Sequence, residues 1–152
     1  MSKIKSFRGL MGDNTQDIIS LHTNDGSIGY RIKKMDLISS DPMDTATKSV
    51  VKVFKIKQIT IDNEIDFSDQ TLLAAGYFTA NNTTSQNTVN ESIIFDNEVF
   101  NQDIYITHDS GGSTQLMNYY IELEQISLDL TENTVATLRD IRNIEGGLFP
   151  TV

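Results

Sequence analysis

The sequence predicts an all-β protein: an antiparallel β-sandwich, of jelly-roll or Greek-key type, with one short C-terminal helix. Three observations carry that expectation. Apolar and polar residues alternate with period two through much of the chain, as in half-buried strands. Strand-like runs are separated by Asn/Asp/Gly-rich turns at short intervals, for example Asp62-Asn63-Glu64 and His108-Asp109-Ser110-Gly111-Gly112-Ser113-Thr114. Strand and helix patterns do not alternate, which argues against a parallel nucleotide-binding sheet.

Taken in order, residues 1–16 carry Lys3, Ile4, Lys5, Phe7, Arg8, Leu10 and Met11 without a packing period. They read as an N-terminal arm that docks on a neighbouring subunit, followed by a single sandwich domain over residues 17–152. In the first clear strand, Ile28, Tyr30 and Ile32 alternate with Gly29, Arg31 and Lys33. The phase slips at Lys33-Lys34 before Met35 and Leu37, which predicts a β-bulge there. Residues 49–56 are β-branched and aromatic, and Lys52, Lys55 and Lys57 suggest a wet face or a sheet edge. Residues 72–78 are apolar at both parities, as in a central strand covered on both sides. The Asn/Thr-rich stretch 79–88 reads as an exposed loop. Short strands follow at 92–95 and 103–107, then the longest at 117–129, where a shift of parity after Gln125 predicts a second bulge. Asp129, with Glu132 three residues on, makes a capping box, and Val135, Leu138 and Ile141 recur at helical spacing. With Arg139 and Arg142 in the last turns, this predicts a helix over 131–143.

The chain has 152 residues, 12 basic and 21 acidic, two histidines, two prolines, no cysteine and no tryptophan. That length suits one domain with a sizeable core, and no Pro- or Gly/Ser-rich linker divides it. Without cysteine, disulfides, thiolate catalysis and thiolate-bound metals are excluded. The apolar run Leu72 to Phe78 is too short to cross a membrane as a helix, and the start has no apolar h-region, so neither membrane nor secretory signal is expected. The net charge of −9 is uneven. Residues 1–57 hold ten basic and six acidic residues, whereas residues 58–152 hold two and fifteen. An acidic chain repels phosphate backbones, so no direct nucleic-acid role is expected. The lysine-rich front reads as a solvated face or as a surface complementary to the acidic body of another copy.

No constellation for chemistry stands out. His108, Asp109 and Ser110 or Ser113 could suggest a hydrolase, but sequence neighbours on a strand face opposite ways, and no Gly-x-Ser-x-Gly elbow is present. His108 therefore reads as a loop hydrogen-bonding residue, and His22 offers no partner. Asp62, Glu64, Asp66 and Asp69 are hard oxygen donors, yet they lack the EF-hand glycine and distal glutamate and read as a solvated loop. Glu122 and Glu124 share a strand parity and read as a polar face rather than a glycosidase pair. Gly111-Gly112 has no following Lys-Ser/Thr, which excludes a P-loop. No cofactor, metal, catalytic residue or small-molecule substrate is expected, and the chain reads as a non-enzyme.

The blocks Ser6-Phe7-Arg8-Gly9-Leu10-Met11, Gln16 to Asn24, Gly29-Tyr30-Arg31-Ile32, Phe100 to His108, Asn118 to Glu124 and Thr134 to Asn143 resemble small structural proteins of marine tailed bacteriophages. The resemblance spans most of the chain. It implies a virion component, assembled in the bacterial host cytoplasm, whose partners are copies of itself and other virion proteins such as the major capsid protein. Expected roles are a capsid auxiliary, cement (decoration) or minor shell protein. Ile4, Phe7, Arg8, Leu10, Lys33 and Lys34 are the candidate inter-subunit contacts. The alternative is a carbohydrate-binding sandwich module of a virion or tail.

Overall fold

The computed structural model describes residues 3–21, 26–42, 46–81 and 87–128. These residues form eight strands: β1 (Lys3–Met11), β2 (Thr15–Ile19), β3 (Ile28–Ser39), β4 (Ala46–Phe54), β5 (Leu72–Asn81), β6 (Asn87–Ile94), β7 (Ile104–Asp109) and β8 (Met117–Ser127). All pairings between them are antiparallel. One sheet has the order β1-β8-β3 and the other β2-β7-β4-β5-β6. The expected helix at 131–143 lies outside the described residues, as do His22 and residues 82–86 of the loop expected at 79–88; the rest of that stretch is not loop but strand, residues 79–81 ending β5 and 87–88 opening β6.

Between the sheets lies one core. From the three-stranded sheet it takes Met11, Tyr30, Ile32, Met35, Leu37, Met117, Tyr119, Ile121 and Leu123. The other sheet adds Ile19, Val51, Val53, Phe78, Ile104 and Ile106, so the even-odd alternation of each strand sends one face inward. The register of β3 on β8 shifts between Ile32 and Lys34, where the sequence slips phase. Through the bulge Ile32 and Met35 both stay buried while Lys33 and Lys34 stay exposed. At Gln125 the expected second bulge is absent, since pairing runs without interruption from Tyr30–Gln125 to Ile28–Ser127. The parity changes there for another reason: Leu128 packs over Gly29, where an added Cβ would lie 3.0 Å from its Cδ1.

Two further expectations are corrected. Residues 3–11 of the expected arm are β1, paired residue by residue with β8 from Lys3–Gln125 to Met11–Met117. Its alternation is hidden in the sequence because Ile4 and Leu10 lie on the wet face, while Lys5 and Gly9 take inward positions. Lys5 is accommodated by the Tyr30 ring, 5.6 Å from its ammonium. Gly9 is needed where it stands, because an added Cβ would lie 2.7 Å from the Tyr119 ring. Secondly, Lys52 and Lys55 do not mark a wet edge. Strand β4 is interior, between β7 and β5, and both lysines are buried.

The cover is residues 55–71, a strap laid over the outer face of the five-stranded sheet. Gln58 is tied to β2, accepting from Gln16 Nε2 through its carbonyl at 3.1 Å and donating its N–H to Gln16 Oε1 at 2.8 Å. In mid-span Lys52 Nζ donates to Asp62 Oδ1 at 2.8 Å and to the Glu64 carbonyl at 2.6 Å. At the far side Phe67 meets Phe95 edge to face, 5.3 Å between centroids. Beneath the strap Phe54, Leu72 and Ala75 form a second small cluster with Phe95. The burial of residues 72–76 at both parities, which the sequence anticipates, follows from this strap on one side and the core on the other.

Candidate functional site

The outer face of the three-stranded sheet has no comparable cover among the described residues. Register arranges it in cross-strand rows β1–β8–β3: Leu10–Asn118–Ile38, Arg8–Tyr120–Asp36, Ser6–Glu122–Lys34 and Ile4–Glu124–Arg31. Ile38 is 60% exposed, and Ile4 and Leu10 are each 52% exposed. A groove of about 500 Å³ runs along the first two rows, lined by Arg8, Leu10, Asp36, Ile38, Asn118 and Tyr120. Strand geometry puts neighbouring outward side chains within about 5 Å, so these residues act as one surface.

The charges on the face are partly matched within it. Arg31 Nε lies 2.6 Å from Glu124 Oε1, and Lys34 Nζ 3.5 Å from Asp36 Oδ2. The Tyr120 hydroxyl donates to Glu122 Oε2 at 2.6 Å, which holds the phenol above its ordinary range. The Lys34 ammonium lies 6.0 Å from the centre of the Tyr120 ring. Arg8 and Lys33 make no ion pair with another described residue.

Of the six contact residues expected from the sequence, the structure brings Ile4, Arg8, Leu10 and Lys34 together on this face, with Lys33 exposed at the bulge beside it. Phe7 is the exception: it points inward, partly buried against the core. The expectation missed Ile38, Asp36, Asn118 and Tyr120. Period two marks Ile38 as outward, since Leu37 is inward, but only the strand pairing places it across from Leu10.

Elsewhere the candidate chemical groups are engaged in holding the fold. His108 is not in a loop but inside the sandwich at the end of β7, fully buried. Its Nδ1 lies 2.8 Å from the Gly12 carbonyl, which can only accept, so Nδ1 carries the proton. In the neutral ring Nε2 then accepts from the Ser49 hydroxyl at 2.9 Å. Asp109 accepts from the Gly111 N–H, and the Ser110 hydroxyl donates to the Ser113 carbonyl, so no triad forms. The turn between β1 and β2 clasps the same loop: Asp13 accepts from the N–H groups of Ser110 at 2.7 Å and Gly112 at 3.1 Å. Those bonds, the Ser110 bond first, hold its carboxyl below the usual range against the cost of burial. Gly111 and Gly112 adopt φ of 66° and 88°, the left-handed region the loop requires.

The acidic segment 62–69 is likewise committed. Asp62 binds the Lys52 ammonium, Asp66 accepts from Ser68, and Asp69 accepts from Thr71. No group of three or more metal-ligating side chains is present among the described residues. Glu122 and Glu124 lie on a flat sheet face, not around a cleft. Burial pushes the Tyr119 phenol up to about 12, with the Asp17 carboxylate that accepts its proton adding to the effect. No protein-family model matches the chain, and no curated protein matches its sequence.

Proposed function

We propose that this protein is a structural component of a bacteriophage virion, a capsid auxiliary, cement (decoration) or minor shell protein that bridges neighbouring subunits through the outer face of its three-stranded sheet. The observation that carries the reading is the winding of the chain. Strands β1 and β8, β2 and β7, and β4 and β5 pair as antiparallel partners. Strand β6 also reaches β3, where Asn90 Nδ2 donates to the Leu37 carbonyl at 2.9 Å. With β6 paired to β5 rather than to β3, this order approaches that of a jelly roll, a double-sheet architecture of viral capsid and lectin domains, and the likeness supports the reading. The open face with exposed aliphatics, the engagement of the titratable groups in structural bonds and the resemblance to phage structural proteins support the same conclusion. The role is mechanical: apolar anchors at the centre of a contact, charges at its rim, and many weak contacts acting together. Mass spectrometry of purified virions tests it, with the chain expected in stoichiometric abundance; its absence from the particle overturns the reading.

One observation favours a second reading, a glycan-binding module. Tyr120 lines the groove with Arg8, Asp36 and Asn118, an aromatic ring among planar hydrogen-bonding groups with the Lys34 ammonium over it at 6.0 Å. A glycan array decides this reading: binding that vanishes in Tyr120→Ala supports it, and no binding dismisses it.

A further inference from the structure

We propose that copies of this chain associate head to tail, the acidic strap of one lying on the outer face of the three-stranded sheet of the next. The proposal rests on the reading of the protein as a many-copy structural component, and it names the partner of that face. Three observations lead to it. The strap and the open face cover opposite sides of the sandwich, so each copy presents one of each in opposite directions. Both surfaces carry exposed apolar anchors: Ile59 (92% exposed), Ile65 and Phe67 on the strap, and Leu10, Ile38 and Ile4 on the face. Their spare charges are opposite in balance. The strap offers Glu64 and Asp66, both exposed, against the single exposed Lys57, after Asp62 is taken by Lys52. On the face and at the bulge beside it Arg8 and Lys33 remain, against Glu122, after Arg31 and Lys34 are matched to Glu124 and Asp36. A two-fold pairing of two such faces would instead set like net charge against like, which is unfavourable.

The size of the surface sets the strength. Three strands about 4.8 Å apart, with nine residues rising about 3.3 Å each, make a face of roughly 400 Å². Counted over both partners that is about 800 Å², below the range of stable specific interfaces, so a single contact is weak and transient, of the order of tens of micromolar or above. Because strap and face are different surfaces, the contact does not close within a dimer; it extends to a ring or an open row. Such a contact suits an array in which each copy is held on two sides.

Sedimentation equilibrium on the full chain tests this. Wild type is expected to gain mass steadily with concentration, and the association to weaken at least fivefold between about 0.05 and 0.5 M salt. Two variants altered only at exposed positions, Arg8→Ser with Ile38→Thr on the face and Ile59→Ser with Glu64→Ser on the strap, are each expected to associate at least tenfold more weakly. Unchanged urea midpoints would show that both retain the fold. Mixed together they retain one good face and one good strap, so a 1:1 dimer and nothing larger is expected. Monomer at every concentration overturns the proposal, as does a wild-type dimer that never grows, an association the variants leave intact, or a mixture that stays monomeric. A chain that self-associates but is missing from virions defeats the particle reading alone; a virion protein that stays monomeric defeats this contact alone.

Discussion

The two outer faces of the sandwich are treated in opposite ways. The middle of the five-stranded sheet is covered by the chain's own strap, to the point that Lys52 beneath it is 6% exposed, while Ile18 and Ile93 on the flanking edge strands stay half exposed. The three-stranded sheet leaves Ile4, Leu10 and Ile38 in contact with water among the described residues. Both faces combine apolar and charged residues, so composition does not separate them. What differs is that the covered face satisfies its charge internally with Asp62, a backbone carbonyl and the Phe54 ring 5.6 Å away. Substitutions under the strap should therefore change stability, whereas those on the open face should leave stability alone and change association. This contrast can be tested residue by residue.

The largest effect is expected at the Lys52–Asp62 pair. Replacing Asp62 by Ala leaves an ammonium buried under the strap with one carbonyl and an aromatic ring for company. Removing the partner of a buried charge costs several kcal/mol when the site stays dry; an exposed Asp62 implies that water enters, so about 2–3 kcal/mol is expected. Lys52→Met removes the buried charge itself and keeps the stem, and should cost less, about 1 kcal/mol. On the open face Lys34→Ala breaks a 3.5 Å pair between half-exposed groups and should cost no more than about 0.5 kcal/mol. Urea midpoints for the three variants give the ranking; equal losses at Asp62 and Lys34 would erase the distinction between the faces.

The same pair predicts a response to acid. Hydrogen bonding from Lys52 holds the Asp62 carboxyl below its ordinary value of 3.8. A carboxyl depressed in the folded state contributes stability that is present above about pH 4 and is lost as pH falls through the lowered folded value. Wild type should therefore lose its advantage over Asp62→Asn only below about pH 4. An advantage that persists unchanged to pH 2 would show that the pair does not hold the strap. Asp13, depressed chiefly by the Ser110 N–H, predicts an acid-labile clasp at the β1–β2 turn in the same window.

Much of the core is legible in the sequence, because apolar residues at both parities over residues 72–78, buried through 72–76, and the slip at Lys33-Lys34 leave local marks. The open face is less so. Ile4 and Leu10 sit outward and Lys5 inward, so β1 shows no period and reads as an arm; only pairing with β8, more than a hundred residues away, defines it. Lys52 and Lys55 mislead in the opposite sense, since a lysine signals water unless a distant loop supplies its carboxylate. The exposure of Ile4, Arg8, Leu10, Lys33 and Lys34, unlike the inward turn of Phe7, follows from register that the sequence alone does not show. That Ile38 stands across from Leu10 is a property of register, which one strand alone does not contain.

A moderate effect is expected where the strap meets the sheet edge. Phe67 is half exposed but stacks edge to face on Phe95, so Phe67→Ala should cost about 1 kcal/mol. Ile38→Thr, at similar exposure on the open face, should stay within about 0.5 kcal/mol, because no packed neighbour is lost and the β-branch is kept. Thermal melts of the two variants separate the cases, and an Ile38→Thr loss larger than that of Phe67→Ala would mean that the open face is covered within the monomer.

The smallest effect, and the one with the least expected sign, concerns Thr107. It is buried on β7 opposite Lys52 and Gln16, and its hydroxyl oxygen has no hydrogen-bond partner among the described residues. A hydroxyl buried without a partner gives up hydration and gains nothing in return, whereas an apolar group of the same shape avoids that cost. Thr107→Val should therefore be neutral or stabilising, by up to about 1 kcal/mol, even though Thr→Val in a hydrogen-bonded setting is usually harmful. A rise in the urea midpoint with an unchanged slope would confirm that the strap seals a dry layer over the sheet. A clear loss of stability would mean that the hydroxyl finds water there, and that the covered face is more open than its lysines imply.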